Sequence, residues 1–528
     1  MKKGLSLLLR VCLAAMMLTA CGSSGSSSAP AKETQAAAQE AGDSVKKLVI
    51  GDTTFNPENA EPDVNPHNEY AGWACIRYGI GETLIHYSDS MEVEPWLAKE
   101  WRNVDPLTWE ITLQDDVHFS SGRVMDAAAV KQCLEHLLEN HDRAPGDLDI
   151  ASIEADGQVL TIKTNNPKPA LLNYLGDPYG CIIDVDAGFD GGIVSGTGPY
   201  IATDCESGDH LTLVKNENYW NGDPKIDELT IKTITDGNTL ANALLSGEIN
   251  AAYGMGYASY PMFENDAYTF SQVATSRAFY AWMNFASPVT QDPAVRKAIA
   301  MGINKKGFVD TLLNGNGYPA VGVFPEGFAF GGDKVTTEGY DPDGAKAVLQ
   351  EAGWTDSDGD GIREKDGQKL IIRWLTYPSR QELPLLAESA QATLKDIGIE
   401  VDINSTADHN KIRIDPAQWD VYASAMVTAP TGDPEYFFTS CCLDASAVNN
   451  GHYHSDKLEE LEKQMAGEFD PQKRAEIAIQ MQQTILDDNA YVFASHLRMS
   501  QISQAGVTGY NAHPCDYYQV TADLDINN

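Results

Sequence analysis

The feature that most constrains the fold is a repeated alternation of strand-like and helix-like segments from about residue 48 onwards. Segments 108–113 and 159–164 carry apolar residues at every second position, which predicts β-strands. Segment 126–138 carries them at spacings of three and four, which predicts an amphipathic helix. Because this alternation is typical of strands joined by helical crossovers, we expect an α/β fold with a largely parallel sheet.

Capping residues mark several of the helix ends. Asp126 and Asp292 are suited to accept hydrogen bonds from the first turn of a helix, and Pro293 fits the position after the second of them. Gly247 and Gly398 fit the left-handed position at which helices end. The further predicted elements are strands at 48–52, 211–215, 370–375 and 399–403 and helices at 238–245, 293–303, 346–352, 383–397, 455–465 and 471–487.

The charge balance excludes a nucleic-acid ligand. The chain has 37 Lys and Arg against 76 Asp and Glu, a net charge of −39, and such a surface repels phosphate backbones. Its 528 residues are enough for two to four structural units, and 43% hydrophobic residues is an ordinary globular value. Since no long apolar run follows residue 20, we do not expect a protein that spans the membrane several times.

The first 45 residues predict export and a membrane anchor. Basic residues precede an apolar run, 11–18, that is too short to span a bilayer. The sequence Leu18-Thr-Ala-Cys21-Gly resembles the lipobox of bacterial lipoproteins, which implies a signal peptide of residues 1–20 and a lipid on Cys21. Residues 21–45 are rich in Ser, Ala and Gln and predict a flexible tether. The alternative is an ordinary secretory signal that happens to precede a cysteine.

Seven cysteines follow the predicted anchor. An odd number without a Cys-x-x-Cys pair does not indicate a disulfide framework or a zinc finger. A chain of this length can build its core without disulfides, so we interpret most of these residues as buried small hydrophobes. One or two disulfides, including a bridge between Cys441 and Cys442, stay open.

Catalytic motifs are missing from the sequence. Ser195 lies in Gly192-Ile-Val-Ser195-Gly196, which departs from Gly-x-Ser-x-Gly by one position. The sequence contains no His-Glu-x-x-His, no phosphate-binding loop and no complete Gly-x-Gly-x-x-Gly. We therefore predict neither catalysis nor a cofactor.

An acidic segment matches the first half of a calcium loop. Asp356, Asp358 and Asp360 occupy positions 1, 3 and 5, and Gly361 occupies position 6. Position 12 is Gly367, where the loop requires a bidentate Glu. The segment is interpreted as a turn stabilised by aspartates, with weak calcium binding as the alternative.

Two histidines near Cys441 and Cys442 raise a second metal hypothesis. His452 and His454 present both rings on one face only if the segment between them is extended. A surface loop with two unrelated histidines is the other interpretation.

Aromatic residues give a more specific indication of function. Six of them are predicted in or beside loops: Tyr70, Trp73, Trp282, Tyr377, Trp419 and Tyr422. Flat rings bury ligand surface at low entropic cost, so an exported α/β protein of this composition suits a solute-binding cleft.

Five sequence blocks carry a resemblance that covers most of the mature chain. The chain resembles the large extracytoplasmic solute-binding proteins of ABC importers, in the peptide/nickel family (family 5). The blocks lie at 94–101 with 108–122, at 196–200, at 215–222, at 292–299 and at 340–354 with 360–361.

The resemblance implies a bilobed, periplasmic-binding-protein-like fold of type II. It consists of two α/β lobes that close on the ligand about a hinge, plus an extra subdomain in the N-terminal lobe. Lobe I would comprise residues 46–283, lobe II residues 284–497, and residues 498–528 would return to lobe I, with crossings near 280–287 and 495–503. The implied partners are a small-molecule ligand, the permease subunits of an ABC transporter and a membrane reached through the lipid anchor, and the implied state is a monomer.

The resemblance leaves the ligand open between a small peptide and a nickel or other metal chelate. Peptide-binding members hold the peptide amine with an Asp at the position of Pro430, within the segment that also contains Thr428, Thr431 and Asp433. In nickel-type members a helix-end arginine matches Arg143, although Gly146 replaces their tryptophan and a second arginine is missing near residues 177–178. Residues 65–73 align with their first ligand loop.

Arginine is the expected anchor for an anionic ligand because its planar fork binds a carboxylate bidentately. Arg143 and Arg380 are the candidates, although Arg380 could instead pair with Glu382. The complete set of predicted ligand contacts is Tyr70, Trp73, Arg143, Trp282, Asn284, Tyr377, Arg380, Thr428, Pro430, Thr431, Asp433, His452 and His454.

Two classes of function follow. The first is a lipid-anchored, extracytoplasmic binding protein that delivers a peptide or a metal chelate to a permease. The second is an extracytoplasmic enzyme or sensor on the same scaffold.

Overall fold

A computed structural model describes residues 45–55, 63–68, 71–206 and 208–527. The predicted signal peptide, most of the tether, Cys21 and Tyr70 lie outside these residues. Within the described ranges, no helix is both long enough and apolar enough to cross a membrane.

The strands follow the predicted alternation closely. In chain order they are β1 Lys47–Asp52, β2 Ile85–Tyr87, β3 Val93–Pro95, β4 Ala98–Asp105, β5 Thr108–Leu113, β6 Ile150–Asp156, β7 Val159–Thr164, β8 Tyr200–Glu206, β9 His210–Lys215, β10 Glu228–Thr233, β11 Ala251–Tyr253, β12 Tyr268–Met283, β13 Tyr318–Pro319, β14 Glu364–Lys365, β15 Gln368–Lys369, β16 Ile371–Thr376, β17 Glu400–Ser405, β18 Val421–Val427, β19 Tyr491–Gln504, β20 Val507–Thr508 and β21 Asp525–Ile526.

The helices predicted to begin after Asp126 and Asp292 do begin there. In chain order they are α1 Ala71–Arg77, α2 Ala127–Asn140, α3 Ala144–Leu148, α4 Leu171–Leu175, α5 Gly237–Ser246, α6 Pro293–Gly302, α7 Lys305–Gly307, α8 Pro342–Glu351, α9 Glu382–Lys395, α10 His409–Ile412, α11 Glu435–Cys441, α12 Asp456–Met465 and α13 Pro471–Asp487. The Asp126 side chain accepts a hydrogen bond from the Ala129 amide (2.8 Å) at the start of α2. The helix predicted at 346–352 begins earlier, at Pro342, because Asp341 caps it.

One large mixed sheet connects the two halves of the molecule. Within the described residues it has 11 strands in the order β17-β16-β18-β12-β19-β11-β1-β10-β9-β8, with β13 added beside β19. The predicted boundaries would assign β1 and β8–β11 to lobe I and β16–β18 to lobe II. The two long strands β12 and β19 run between these groups, so the sheet passes without a break from one lobe to the other.

The prediction of a largely parallel sheet is wrong. Parallel pairs occur where a helix connects two strands. Helix α9 connects the parallel pair β16 and β17, and helix α5 connects β10 and β11, which both pair parallel with β1 and lie on opposite sides of it. Elsewhere β8, β9 and β10 form an antiparallel meander. The strands β12 and β19 pair antiparallel with each other, β12 also pairs antiparallel with β18, and β19 also pairs antiparallel with β11. Short connections and two strands that run in opposite directions between the lobes impose this arrangement.

The predicted crossings lie on or beside the two long strands. Residues 280–283 end β12, and residues 495–503 lie inside β19. The register between β12 and β19 shifts between Ala274 and Ala278, which marks an irregularity at the middle of the pair. The lobe boundaries after residues 283 and 497 stay predictions.

A separate antiparallel sheet of lobe I has the order β4-β5-β7-β6. Helix α2 packs against β6 and β7, and buried Val130, Leu134 and Leu137 belong to the same hydrophobic cluster as Ile111 and Ile162. This unit of sheet and helix lies in the part of the chain for which the family resemblance implied an extra subdomain.

Two sequence interpretations are settled by burial. The described cysteines are all free thiols, and all but Cys205 are buried, as expected for small hydrophobes. Trp282 and Tyr422, predicted in or beside loops, are the last but one residue of β12 and the second residue of β18, and both are buried. Trp419 is fully buried, so its ring belongs to the core.

Candidate functional site

Two arginines that the predicted boundaries assign to different lobes lie close enough to interact electrostatically. Arg277 lies in β12 beside the register shift, and Arg380 lies between β16 and α9. In the described part of the chain, neither guanidinium has a carboxylate within 4.0 Å. Burial lowers the pKa of Arg277, and the positive charge of Arg380 lowers it further. Two neighbouring positive charges without partners favour an anion between them.

A network of buried charged and polar side chains lies next to Arg277. Arg77 donates to the Asp516 carboxylate (2.6 Å), lies 3.9 Å from the Asp52 carboxylate and stacks over the Tyr253 ring. The Tyr253 hydroxyl also donates to Asp516 (3.0 Å). Asp516 is therefore already occupied by Arg77 and Tyr253, and its negative charge offsets only part of the positive charge of Arg277.

A row of aromatic rings in lobe II lies beside this pair. The Tyr377 ring stacks on His409 with centroids 4.1 Å apart, and His409 Nδ1 is hydrogen-bonded to the Tyr422 hydroxyl (2.6 Å). Tyr422 packs against Trp282 at 5.2 Å. Burial, followed by the positive charge of Arg413, lowers the pKa of His409. Tyr422 and Trp282 are buried, so only the partly exposed rings of Tyr377 and His409 offer flat surface next to the positive charge, which suits a small ligand with both apolar and anionic parts.

The segment 428–433 of lobe II contacts lobe I directly. The Asn173 side-chain amide donates to the Thr431 carbonyl (2.9 Å), and the Tyr517 hydroxyl donates to the Pro430 carbonyl (3.4 Å). Gly432 has a φ of 71°, and a Cβ atom there would clash with the carbonyl oxygen of Met91. By the predicted boundaries these contacts join lobe II to lobe I, and we call them the rim of the cleft.

Arg143 already has partners within lobe I. Its guanidinium donates to the Asp177 carboxylate (3.0 Å) and lies over the Tyr179 ring. Burial raises the pKa of Asp177 to about 6, and the charge of Arg143 opposes that rise. Arg143 is half exposed, so a ligand carboxylate would have to compete with Asp177 for it. Ligand binding by Arg143 stays a prediction, and Asp177 is the residue with which the ligand would compete.

Several predicted contact residues have polar groups that are bonded within the protein. The fully buried Asn284 amide donates to the carbonyls of Pro416 and Trp419 (both 2.7 Å). The Thr428 hydroxyl is shared between backbone carbonyls, and the Asp433 carboxylate is held by Arg474. From these positions the three side chains support the rim of the cleft, and a direct contact with ligand stays a prediction.

The remaining predicted contacts fall into two groups. Trp73 packs edge-on against Tyr517 in lobe I, next to the rim contact at Pro430. His452 and His454 lie on the surface, where the ring of His454 interacts with Asp444. Cys441 and Cys442 are buried, so the structure favours the interpretation of two unrelated surface histidines.

The acidic segment at 356–360 forms a tight turn. The Asp356 carboxylate accepts hydrogen bonds from the Gly359 and Gly361 amides, and Lys369 pairs with Asp358 and Asp360. Asp356, Asp358 and Glu364 still place oxygen atoms within 4.8 Å of one another. The contacts support the turn interpretation, and calcium binding stays a prediction.

The aligned loop 65–73 contains a buried histidine. His67 is 1% exposed, and its Nδ1 lies 2.7 Å from Nδ1 of His136 on α2. Burial lowers the pKa of His67 to about 3, helped by nearby His136 and His141, so the ring is neutral. This pair anchors the loop to the helix.

Sequence reasoning missed Arg277 and His409. Arg277 is the only charged residue in the 16-residue stretch of β12, a signal that could have identified it. No comparable signal marks His409, because its place beside Tyr377 depends on how α10 packs against β16 and β18.

Comparisons with known proteins identify the family of the chain. Residues 92–448, more than half of the chain, match the model of the bacterial extracellular solute-binding proteins, family 5 (middle region). The nickel-binding protein NikA of Staphylococcus aureus is 29% identical over 76% of this chain and 80% of its own length. The oligopeptide-binding protein AppA of Bacillus subtilis is 25% identical over 97% of both chains.

A solved structure shows the same architecture. The crystal structure of a nickel ABC transporter protein from Bacillus halodurans has a TM-score of 0.83 at 29% identity, covering 91% of this chain and 100% of that one. This likeness is in keeping with the two-lobed α/β fold and the continuous sheet between the lobes. The chain belongs to the bacterial extracellular solute-binding proteins of family 5, which serve ABC importers.

Proposed function

We propose that the protein captures a small metal chelate whose organic part carries carboxylates, with nickel as the metal, and delivers it to an ABC permease. The observation that carries this proposal is the pair Arg277 and Arg380, two guanidinium groups without carboxylate partners in the described structure. The nickel-binding relative supports the choice of metal.

The cleft chemistry explains why a carboxylated chelate would bind. A carboxylate between the two arginines would remove their mutual repulsion and form charge-assisted hydrogen bonds in a partly dry site. The partly exposed rings of Tyr377 and His409 would cover the apolar part of the chelator. Rim contacts such as that of Asn173 with Thr431, which is already present in this structure, would hold the lobes closed over the ligand.

A free peptide is the second candidate, because a relative of the full length of this chain is an oligopeptide-binding protein. A peptide would place its carboxylate on the arginines but would also need an acidic partner for its amine. Pro430 stands at the position that the resemblance assigns to this partner, and nearby Asp433 is only 5% exposed and paired with Arg474 (2.8 Å). The chelate is therefore the favoured ligand.

Calorimetry on protein freed of co-purified ligand tests the proposal. Titrations with nickel chloride, citrate, nickel with citrate, nickel with histidine and triglycine separate bare metal, chelator, chelate and peptide. We expect a nickel chelate to bind more tightly than nickel chloride, citrate or triglycine. Tight binding of triglycine with no binding of either chelate would replace the proposal by the peptide alternative, and turnover of any ligand would support an enzyme instead.

Charge-removing variants test the anchor itself. Arg277→Gln and Arg380→Gln should each weaken chelate binding by about 10- to 100-fold, the value of one or two charge-assisted hydrogen bonds. Arg102→Gln is the matched control, because Arg102 pairs with Glu110 on the exposed side of β4. Unchanged affinity in both cleft variants would refute the anchor.

The proposal includes the location of the protein. Membership of an extracellular solute-binding family supports an extracytoplasmic site of action. We propose that residues 1–20 direct export, that a lipid on Cys21 holds the protein at the membrane, and that residues 21–45 form the tether.

A further inference from the structure

A cavity outside the chelate site lies among residues that the predicted boundaries assign to lobe I. It has a volume of about 120 Å³ and lies between the end of α1, the strand β2 and the C-terminal segment 518–523. Asp523 is exposed, so the cavity opens to the surface at this residue. The lining combines four rings with two carboxylates: His86, Trp96, Tyr219, Tyr518, Glu82 and Asp523.

Glu82 places a buried carboxylate at this cavity without a positively charged partner. The residue is 7% exposed, and in the described part of the chain no Lys, Arg or His nitrogen lies within 4.0 Å of its carboxylate. Its oxygens accept four hydrogen bonds of 2.7–2.9 Å, all from neutral donors: the indole N–H groups of Trp96 and Trp220 and the hydroxyls of Thr197 and Tyr219.

The hydrogen bonds suit the ionised form of Glu82. Each carboxylate oxygen accepts one indole N–H, a group that can only donate. Burial raises the pKa of the Glu82 carboxyl, and the four hydrogen bonds oppose that rise. A buried negative charge that lacks an opposite charge favours a cation close to it.

Three of the rings form one aromatic wall of the cavity. The His86 ring stacks on Tyr518 with centroids 3.8 Å apart and packs against Trp96 at 4.7 Å. Burial, followed by the nearby His513, lowers the pKa of His86 to about 4, so this ring is neutral at pH 7 and does not neutralise Glu82. Aromatic surface next to an uncompensated negative charge is an environment that binds methylated ammonium groups.

We propose that this cavity binds the trimethylammonium group of a small organic cation. The methyl groups would contact the rings, and the positive charge would lie in the field of Glu82 and Asp523. A primary amine or a guanidinium is less suited, because the four hydrogen bonds already use the acceptor positions of the Glu82 carboxylate. The net charge of −39 favours the approach of a cation.

The size of the cavity limits the ligand to a small group. Pockets for drug-sized ligands have volumes of about 300–1,000 Å³, and this cavity has about 120 Å³. It can therefore hold a trimethylammonium group but has no room for a peptide or a metal chelate. The inference does not rest on the chelate proposal, because none of the lining residues belongs to the chelate site.

Choline is the probe that tests the site. Calorimetry on the full chain, freed of co-purified ligand, compares choline chloride with its neutral isostere 3,3-dimethyl-1-butanol and with ammonium chloride. We expect one equivalent of choline to bind at least about 10-fold more tightly than either of the other two compounds. A choline affinity within about threefold of that of the neutral isostere would overturn the inference.

Two variants locate the bound choline. Ala522 lines the cavity, so Ala522→Leu would fill part of it and should weaken choline binding at least about 10-fold. Glu82→Gln should weaken it similarly by removing the charge. Because Glu82 also joins four hydrogen bonds, the Ala522 variant decides the test if Glu82→Gln does not fold. Choline binding that keeps its full affinity in Ala522→Leu would overturn the inference.

Matched controls make the result specific. Ala128→Leu on α2 and Glu206→Gln at the end of β8 change exposed residues of the same types and should leave choline binding unchanged. Arg277→Gln and Arg380→Gln should also retain choline binding, so failure of the chelate proposal and failure of this one can be distinguished. Loss of choline binding in these two cleft variants would place choline in the cleft and overturn the inference.

Discussion

Glu462 on α12 gives a pH-dependent test of the cluster that supports the lobe contact. Its carboxyl group lies near Asp433, Glu435 and Arg474, and its Oε2 is buried without a hydrogen-bond partner in the described structure. The Arg474 guanidinium pairs with both Asp433 (2.8 Å) and Glu435 (2.9 Å). Burial, followed by the charge of Glu435, raises the pKa of Glu462 from 4.5 to about 8.

The sign of the pH effect follows from proton linkage. Between pH 4.5 and about 8 the folded protein holds a proton on Glu462 that the unfolded chain has released. The free energy of unfolding must therefore fall as pH rises through this window, by at most about 1.4 kcal/mol per pH unit from this group. The whole shift corresponds to about 5 kcal/mol. We expect about 1–3 kcal/mol, because the side chain is only partly buried and water can solvate the ionised form.

Glu462→Gln isolates this effect, since glutamine has nearly the same size and cannot ionise. The variant should match the wild type near pH 5 and exceed its free energy of unfolding by about 1–3 kcal/mol at pH 8. Urea unfolding at pH 5, 6.5 and 8 measures the difference, and Glu460→Gln, an exposed position on the same helix, is the control. A stability difference that does not change with pH, or a less stable variant at pH 8, would refute the reasoning.

Three further predictions concern the lobe contact, the core and the anchor. Gly432→Ala should lower the thermal midpoint and weaken chelate binding, because its φ of 71° and the Met91 carbonyl leave no room for Cβ; Gly467→Ala, in open space, should change neither. Asn284→Ala should cost about 2–4 kcal/mol in urea unfolding, since it leaves buried backbone groups unpaired, and a cost below about 0.5 kcal/mol would contradict this structural role. Intact mass spectrometry of membrane-extracted protein should find a lipid on Cys21, and Cys21→Ser should release the protein into the soluble fraction; an unmodified mature N-terminus would refute the anchor.

The local elements were predictable because their signals are local. The cap at Asp126 and the proline at 293 fixed where helices begin, and the alternation at 159–164 matched a strand to the residue. Strand direction was not predictable in this way. Whether two strands pair parallel or antiparallel depends on how the chain returns between them, and the long strands that connect the lobes gave no helical crossover to identify.

The candidate site shows the same division. Arg380 and Tyr377 were identified because they lie in a polar loop before a helix, and the structure places both beside the cleft arginine that sequence reasoning missed. Arg143 carried the right chemistry, yet Asp177, 34 residues later, already pairs with it. The sequence identifies the type of each side chain, whereas only the packed structure shows whether a charged side chain already has an oppositely charged partner.

The sequence by itself determined the class of protein: an exported α/β chain with a net charge of −39, no catalytic motif and five family blocks in order. Net charge is a count over all residues, and motifs and family blocks are patterns of neighbouring residues, so both can be read without knowledge of the fold. Only the tertiary structure decided which charges remain without partners. Arg277 meets Arg380 across about a hundred residues, because the sheet places β18 between β12 and β16. Electrostatic interactions depend on distance in space, so the site could be located only there.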